Sequence, residues 1–440
     1  MNTNTKVDFI VQAGGKLTGN IRVPGDKSMS HRAVMLGSLA QGTTHITGLL
    51  EGEDVLCTLA AFRAMGVRAQ GPDRGNLTIE GAGLHGLKPP SRPLDMGNSG
   101  TAMRLMAGIL AGQAFDSELF GDESLSKRPM KRVSEPLAQM GAVIDTADGG
   151  RPPLRIKGNR SLHGIDYRLP MPSAQVKSSV LLAGLYAQGA TSVTEPAPTR
   201  DHTERMLRGF GYDVDVSGAT ARVQGGGGLR ACNVDVPADI SSAAFFLVGA
   251  SIAPGSDLTL EHVGMNPTRV GVVNILRLMG ANIDVLNARE VGGEPVADLR
   301  VRAATLRGIR IPQDQVPLAI DEFPALFIAA ACADGETVLT GAEELRVKES
   351  DRIAAMAQGL HRVGVDAKET PDGIVIKGGK LRGGEIDSRG DHRIAMSFAI
   401  AALRAEGTIT ARDCKNVDTS FPGFAALATK AGLAIGVKTV

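Results

Sequence analysis

Residues able to do chemistry gather in a few short stretches. Lys27, Ser28 and Arg32 lie in Pro24-Gly25-Asp26-Lys27-Ser28-Met29-Ser30-His31-Arg32, directly ahead of the small apolar run Ala33 to Leu39. A helix opening there offers unpaired backbone N–H groups and the positive end of its dipole, a favourable place for an anion. Helix capping explains Ser, Thr, Asp and Asn at such a point. It does not explain cations, which oppose the dipole. The same conflict returns at Arg104, Arg128, Lys177, Arg200, Lys348, Arg352 and Arg393. Ligands carrying phosphate or carboxylate oxygens would resolve it, and the planar fork of Arg suits them best.

The elements that must position these residues repeat six times. The leading helix recurs at Gly97-Asn98-Ser99-Gly100-Thr101, Pro172-Ser173-Ala174-Gln175, Ala238-Asp239-Ile240-Ser241, Ile320-Asp321-Glu322-Phe323 and Gly390-Asp391-His392-Arg393. Its terminal glycines, Gly42 to Gly407, fall 66 to 80 residues apart. A short alternating strand follows each, as in Glu336-Thr337-Val338-Leu339-Thr340. A second, amphipathic helix (Val55, Leu56, Leu59 and Phe62 in the first repeat) then stops at a glycine such as Gly66 or Gly432, and a strand pair completes the unit. The reading is α+β. The sixth repeat lacks its end, and Val7 to Pro24 has the missing strand–turn–strand pattern, so the N-terminus should close it. Two domains of three repeats follow, 23–235 and a discontinuous 1–22 plus 236–440. The two chain crossings would act as a hinge, and the cleft between domains as a ligand site.

Composition narrows the function. The chain has 440 residues, a net charge of +1, 3% aromatics and no Trp. Near-neutral charge and scarce aromatics disfavour a nucleic-acid binder. Cys57, Cys232, Cys332 and Cys414 show neither metal spacing nor a disulfide framework, so buried thiols in a reducing compartment are expected. No cofactor or metal motif is visible. No signal peptide or membrane span is evident, and a cytoplasmic protein is expected.

The motifs Pro24 to Arg32, Gly97-Asn98-Ser99-Gly100-Thr101-Ala102-Met103-Arg104, Lys127-Arg128-Pro129-Met130, Arg346-Val347-Lys348-Glu349-Ser350-Asp351-Arg352 and Asp391-His392-Arg393-Ile394-Ala395-Met396 resemble the 5-enolpyruvylshikimate-3-phosphate synthase family over essentially the whole chain. The resemblance implies two similar domains of three βαβαββ units, an inside-out α/β barrel with an interdomain active-site cleft. It implies transfer of the enolpyruvyl group of phosphoenolpyruvate to the 5-hydroxyl of shikimate 3-phosphate, with release of phosphate, in aromatic amino acid biosynthesis. By the same resemblance, Lys27, Asn98, Gly100, Arg128, Gln175, Arg352 and Arg393 bind phosphoenolpyruvate. Lys27, Ser28, Arg32, Ser173, Ala174, Gln175, Arg200, Asp321 and Lys348 bind shikimate 3-phosphate. Asp321 is the candidate base at the 5-hydroxyl, Glu349 the candidate for proton transfer at C3, and Lys27 the donor to the departing phosphate. Lys348 should neutralise Asp321. Glu322 reads as a helix-turn charge. Shikimate 3-phosphate is expected to draw the domains together and exclude water.

Leu105, Ala174 and Thr419 depart from the plant and enteric relatives, which often carry proline, serine and lysine there. These features resemble a second bacterial branch, yet that branch often has alanine where this chain has Gly100. Gly100 leaves room for glyphosate, so inhibition competitive with phosphoenolpyruvate is expected. The nearest rival is UDP-N-acetylglucosamine enolpyruvyltransferase, whose family carries a cysteine in the loop that here reads Gly121-Asp122-Glu123-Ser124-Leu125-Ser126-Lys127-Arg128-Pro129. A non-catalytic binder of phosphorylated ligands is the rival from another class. The family implies a monomer without nucleic-acid or membrane partners.

Overall fold

The computed structural model describes residues 6–158 and 161–439. Its α-helices come in pairs: α1 (Lys27–Leu39) and α2 (Glu53–Ala64), α3 (Gly100–Ala111) and α4 (Lys131–Gln139), α5 (Ala174–Gly184) and α6 (His202–Gly209), α7 (Ile240–Ile252) and α8 (Gly271–Leu278), α9 (Phe323–Ala331) and α10 (Arg352–Arg362), α11 (His392–Ala401) and α12 (Phe424–Ala431). The first of each pair opens near a polar motif and is enclosed on nearly every side. All residues of α7 and α9 are buried, which is why these sequences are apolar all round rather than striped. The second is two-faced. In α2, Val55, Leu59 and Phe62 are buried, but Leu56 is 37% exposed, so it does not belong to the expected apolar stripe. These helices end where the chain turns left-handed, at Gly66 (φ 88°) and Gly432 (φ 117°) for example, a conformation glycine adopts without a Cβ penalty.

The strands form small sheets of one pattern. Leu94–Asp95 pairs parallel with Ser117–Phe120, which pairs antiparallel with Arg151–Ile156, itself antiparallel to Ile144–Ala147. With α3 and α4 between them, these give β-α-β-α-β-β order. Two repeats take their opening strand from distant sequence. Asn233–Asp235 lies parallel to Ala40–Thr47 in the first repeat. Thr18–Ile21 lies parallel to Asp257–Gly264 in the fourth. Val7–Val11 sits between Ile409–Arg412 and Ile435–Thr439, antiparallel to both. Closure of the sixth repeat therefore belongs to Val7–Val11 alone. Gly14 (φ 81°) and Gly15 (φ 104°) turn the chain, and Thr18–Ile21 serves the fourth repeat instead.

Two compact units result. Unit 1 comprises Met1–Pro24, Pro237–Glu290 and Pro295–Val440; unit 2 comprises Gly25–Val236 and Val291–Glu294. Each has its own core. In unit 1, Phe246, Phe421 and Phe424 pack ring on ring. In unit 2 the core is mainly aliphatic, with Leu36, Ile109, Leu110 and Leu182 among its members. Of the four free thiols only Cys414 is fully buried; Cys57, Cys232 and Cys332 are half-buried. Among the described residues no helix is long and apolar enough to cross a membrane.

Candidate active site

In unit 2 the site is built on the N-termini of α1, α3 and α5. The Asp26 carboxylate accepts from the Met29 N–H at 2.8 Å, fixing the start of α1. Lys27 and Ser28 occupy its first turn, half-buried. Lys27 Nζ lies 3.3 Å from Asp54 Oδ2. Arg32, one turn on, is buried. Its Nε donates to Thr203 Oγ1 at 2.7 Å, Nη2 to Ser178 Oγ at 2.7 Å and Nη1 to the Ser28 carbonyl at 2.9 Å. Burial lowers its pKa to about 10; Glu204 and Asp26 oppose that, and Arg200 adds to it. Arg32 thus fastens the Ser28 backbone from behind. Arg200 is half-buried just before α6.

Ser99 caps α3 by accepting from Ala102 N–H at 3.1 Å, which sets Asn98 and Gly100 at the helix mouth. Arg128 Nη2 donates to Asn98 Oδ1 at 2.7 Å and to Ser124 Oγ at 3.2 Å. Arg104 Nη1 donates to Gln175 Oε1 at 2.5 Å, and Gln175 Nε2 to Thr101 Oγ1 at 2.9 Å. A Cβ on Gly100 would stand 3.0 Å from Arg104 Nη1 and 3.2 Å from Arg128 Nη1. Asn98, Gly100, Arg104, Arg128 and Gln175 therefore form one cluster. Ser173 Oγ accepts from Val176 N–H at 3.4 Å, and Ala174 opens α5. Lys177 is a correction. It awaits no ligand: it is buried between Glu195, 2.6 Å away, and Glu204, 2.7 Å away. Burial works against its charge, but the two carboxylates outweigh that and raise its pKa.

In unit 1 the centre is Arg352, the first residue of α10, 1% exposed. Its Nε donates to Asp391 Oδ2 at 2.9 Å, Nη1 to Asp321 Oδ1 at 3.2 Å and Nη2 to Glu349 Oε2 at 2.6 Å. Burial pushes its pKa down, yet Asp391, Glu349 and Asp321 together hold it above the ordinary arginine range. Lys348 Nζ lies 3.4 Å from Asp321 Oδ1 and 2.6 Å from Glu344 Oε1. Asp391 also accepts from the Arg393 N–H at 2.9 Å and from Ser350 Oγ at 3.0 Å. Asp321, Lys348, Glu349 and Arg352 are thus brought together, and Arg393 is tied to them through Asp391. Glu322 is a second correction. It is buried, accepts from the Ser241 hydroxyl and lies 3.7 Å from Arg269, so it belongs to the interior and not to an exposed turn.

Asp54, Ser178, Thr203, Glu195, Glu204 and Asp391, in its bond to Arg352, complete the supports. Only Asp391 carries a local sequence signal, being the N-cap of α11. The others meet their partners across separations that no spacing rule reaches. Among the described residues no group of His, Cys, Asp and Glu could hold a metal ion. Anchored cations and two carboxylates sharing one guanidinium suit binding of small anions and proton transfer to or from them.

Residues 11–427 match the family described as EPSP synthase (3-phosphoshikimate 1-carboxyvinyltransferase). The 3-phosphoshikimate 1-carboxyvinyltransferase of Methylococcus capsulatus is 68% identical over 431 residues, 98% of this chain and 99% of that protein. The solved EPSP synthase of Acinetobacter baumannii is 59% identical, covers 98% of this chain and 100% of its own, and superposes with a TM-score of 0.89. The enolpyruvyl transferase NikO of Streptomyces tendae shares the fold alone, at 17% identity and a TM-score of 0.80, over 99% of this chain and 100% of its own.

Proposed function

The chain belongs to the EPSP synthase (3-phosphoshikimate 1-carboxyvinyltransferase) family, and on that premise we propose how its residues move the enolpyruvyl group of phosphoenolpyruvate onto the 5-hydroxyl of shikimate 3-phosphate, a step of aromatic amino acid biosynthesis. Asn98, Gly100, Arg128, Gln175, Arg352 and Arg393 bind phosphoenolpyruvate, with Lys27. Lys27, Ser28, Ser173, Ala174, Gln175, Arg200, Asp321 and Lys348 bind shikimate 3-phosphate, and Arg32 fixes the Ser28 backbone for it.

Asp321 takes the proton of the 5-hydroxyl as its oxygen attacks C2 of phosphoenolpyruvate. Glu349 delivers a proton to C3, which becomes a methyl group. In the tetrahedral adduct C2 then carries both the new ether oxygen and the phosphate. Glu349 recovers a proton from C3, the C2–C3 double bond forms again, and the C2–O bond to phosphate breaks. Lys27 donates a proton to that leaving oxygen. Glu349 thus begins and ends the cycle protonated, and exchange with solvent returns the proton gained by Asp321 to the Lys27 amine, so protons and electron pairs balance without a cofactor.

The observation that supports this reading most is that Arg352 binds Asp321 and Glu349 at once, 3.2 and 2.6 Å away. A carboxylate for each of the two proton-transfer centres is thereby held in one frame. The wider reading is a cytoplasmic monomer that glyphosate inhibits in competition with phosphoenolpyruvate. The test is phosphate release from phosphoenolpyruvate with shikimate 3-phosphate in one vessel and UDP-N-acetylglucosamine in another. Release in the first alone is expected. Release in the second alone would overturn the acceptor assignments at Ser173, Gln175 and Arg200, and release in neither would leave a binding protein.

A further inference from the structure

His31 lies one residue before Arg32 on α1, wholly buried, and the function proposed above gives it no role. Its Nδ1 is 2.8 Å from Thr58 Oγ1 on α2, and its Nε2 is 3.4 Å from Ser99 Oγ, the cap of α3. The ring therefore touches three helices. Satisfying every hydroxyl fixes the proton positions. Thr58 donates to the Asp54 carbonyl, 3.3 Å away, so its oxygen is left to accept a hydrogen bond from His31 Nδ1–H. Ser99 already accepts from Ala102 N–H, so its own O–H needs an acceptor, and His31 Nε2 supplies one.

We infer that His31 is a positioning residue: as the Nδ1–H tautomer it holds the phosphoenolpyruvate loop, Asn98 and Gly100, in register with the shikimate 3-phosphate turn, Lys27 and Ser28. The assignment rests on the function proposed above. Three further observations support it. The ring stays neutral, because burial, then Lys27 and Arg32, push its pKa down to about 3 against the opposing Asp26. The loop is seated on α2, where a Cβ on Gly97 would stand 2.9 Å from Cys57 Sγ. Asp54, whose carbonyl accepts from the Thr58 hydroxyl, also meets Lys27 through its carboxylate. The bonds thus run from Ser99 through His31 and Thr58 to the residue that holds Lys27.

The two ends of this chain of bonds are not equally dependent on it. The start of α1 keeps the Asp26 cap, the bond from Leu50 N–H to Ser30 Oγ at 2.9 Å, and the three bonds of Arg32. Ser99 loses the acceptor that orients its hydroxyl. Removing the imidazole should therefore act on phosphoenolpyruvate and spare shikimate 3-phosphate, a split that a uniform packing defect would not produce.

The test combines imidazole ¹⁵N NMR of the full-length protein at neutral pH with steady-state kinetics of His31→Leu and Thr58→Val. The signal lost in His31→Leu should be that of a neutral ring protonated at Nδ1. In His31→Leu the KM for phosphoenolpyruvate should rise about tenfold, the loss of one buried hydrogen bond, with the KM for shikimate 3-phosphate and kcat within about twofold. Thr58→Val, which keeps the ring, should raise the KM for phosphoenolpyruvate about threefold, and it decides the matter if His31→Leu does not fold. A ring protonated at Nε2, or both KM values rising in parallel, or neither rising, would overturn the inference alone. A parent protein that releases no phosphate with shikimate 3-phosphate would overturn the functional reading together with it.

Discussion

Three guanidinium groups of unit 2 donate to neutral oxygens of their own unit: Arg32 to Thr203, Ser178 and the Ser28 carbonyl, Arg104 to Gln175 and the Pro129 carbonyl, Arg128 to Asn98 and Ser124. In unit 1 Arg352 touches three carboxylates, Asp321, Glu349 and Asp391. A neutral acceptor orients a guanidinium without itself cancelling the charge. A carboxylate cancels that charge and is itself oriented in return. The first arrangement suits holding an anion; the second suits aiming a proton acceptor. Lys177 shows the difference within one unit. Paired with Glu195 and Glu204, it has no charge to spare and serves as structure.

The sharpest way to break this division is to neutralise the unit 1 carboxylates singly. Asp321→Asn and Glu349→Gln should each lower kcat by about 10²–10⁴-fold, the usual contribution of general acid–base catalysis, with modest changes in KM. Steady-state phosphate release reads both parameters. If Glu349→Gln instead raised the KM for phosphoenolpyruvate and spared kcat, Glu349 would only orient Arg352, and the two units would be doing the same kind of work.

Asp391 is the next largest test. It has no exposed surface and holds Arg352 from behind. Asp391→Ala leaves a buried guanidinium one carboxylate short and should destabilise the protein by ~3–5 kcal/mol, as broken buried ion pairs do. Urea unfolding measures it. No such loss is expected from Asn98→Ala, because the group left behind is the half-buried Arg128 with Ser124 still in place. Equal losses from both variants would erase the contrast.

Arg128→Lys probes the other half. Lysine keeps the charge and loses the fork that spans Asn98 and Ser124, so kcat/KM for phosphoenolpyruvate should fall about 10- to 100-fold while kcat changes less. A fall in kcat alone would move Arg128 to the chemical step.

The sequence displays one side of this contrast more plainly than the other. The cluster in each unit is built at helix N-termini, and caps, small apolar runs and terminal glycines announce those within ten or so residues. Lys27, Asn98, Gly100, Ser173 and Arg352 were therefore readable as positions, and so was the six-fold repeat. What a cation rests on is set by tertiary approach. Arg32 reaches Thr203 across 171 residues and Arg352 reaches Asp391 across 39, and no local pattern encodes either meeting. That is why Lys177 reads like Lys27 in the sequence and differs from it in the structure. The split N-terminal segment has a similar cause. Two neighbouring strands, Val7–Val11 and Thr18–Ile21, part company at Gly14 and Gly15 and pair in different sheets.

Gly100→Ala gives the smallest expected effect and the cleanest one. The residue is in α3, outside the left-handed region, so alanine there should leave stability unchanged or raise it by ~0.4–1 kcal/mol. The added Cβ would meet the guanidinium ends of Arg104 and Arg128 at 3.0 and 3.2 Å. Those are the far ends of flexible side chains, and they can yield by a few tenths of an ångström. Such a displacement matters only if Arg128 works through its position, the role its two oriented bonds to Asn98 and Ser124 suit. The KM for phosphoenolpyruvate should then rise about tenfold, one weakened charge-assisted hydrogen bond, with shikimate 3-phosphate unaffected. Glyphosate inhibition should weaken alongside it, since the same methyl group fills the room an inhibitor would use. An unchanged KM would mean that the guanidinium pose at Gly100 is not what recognises the substrate, and the neutral scaffold of unit 2 would have to be assigned to folding instead.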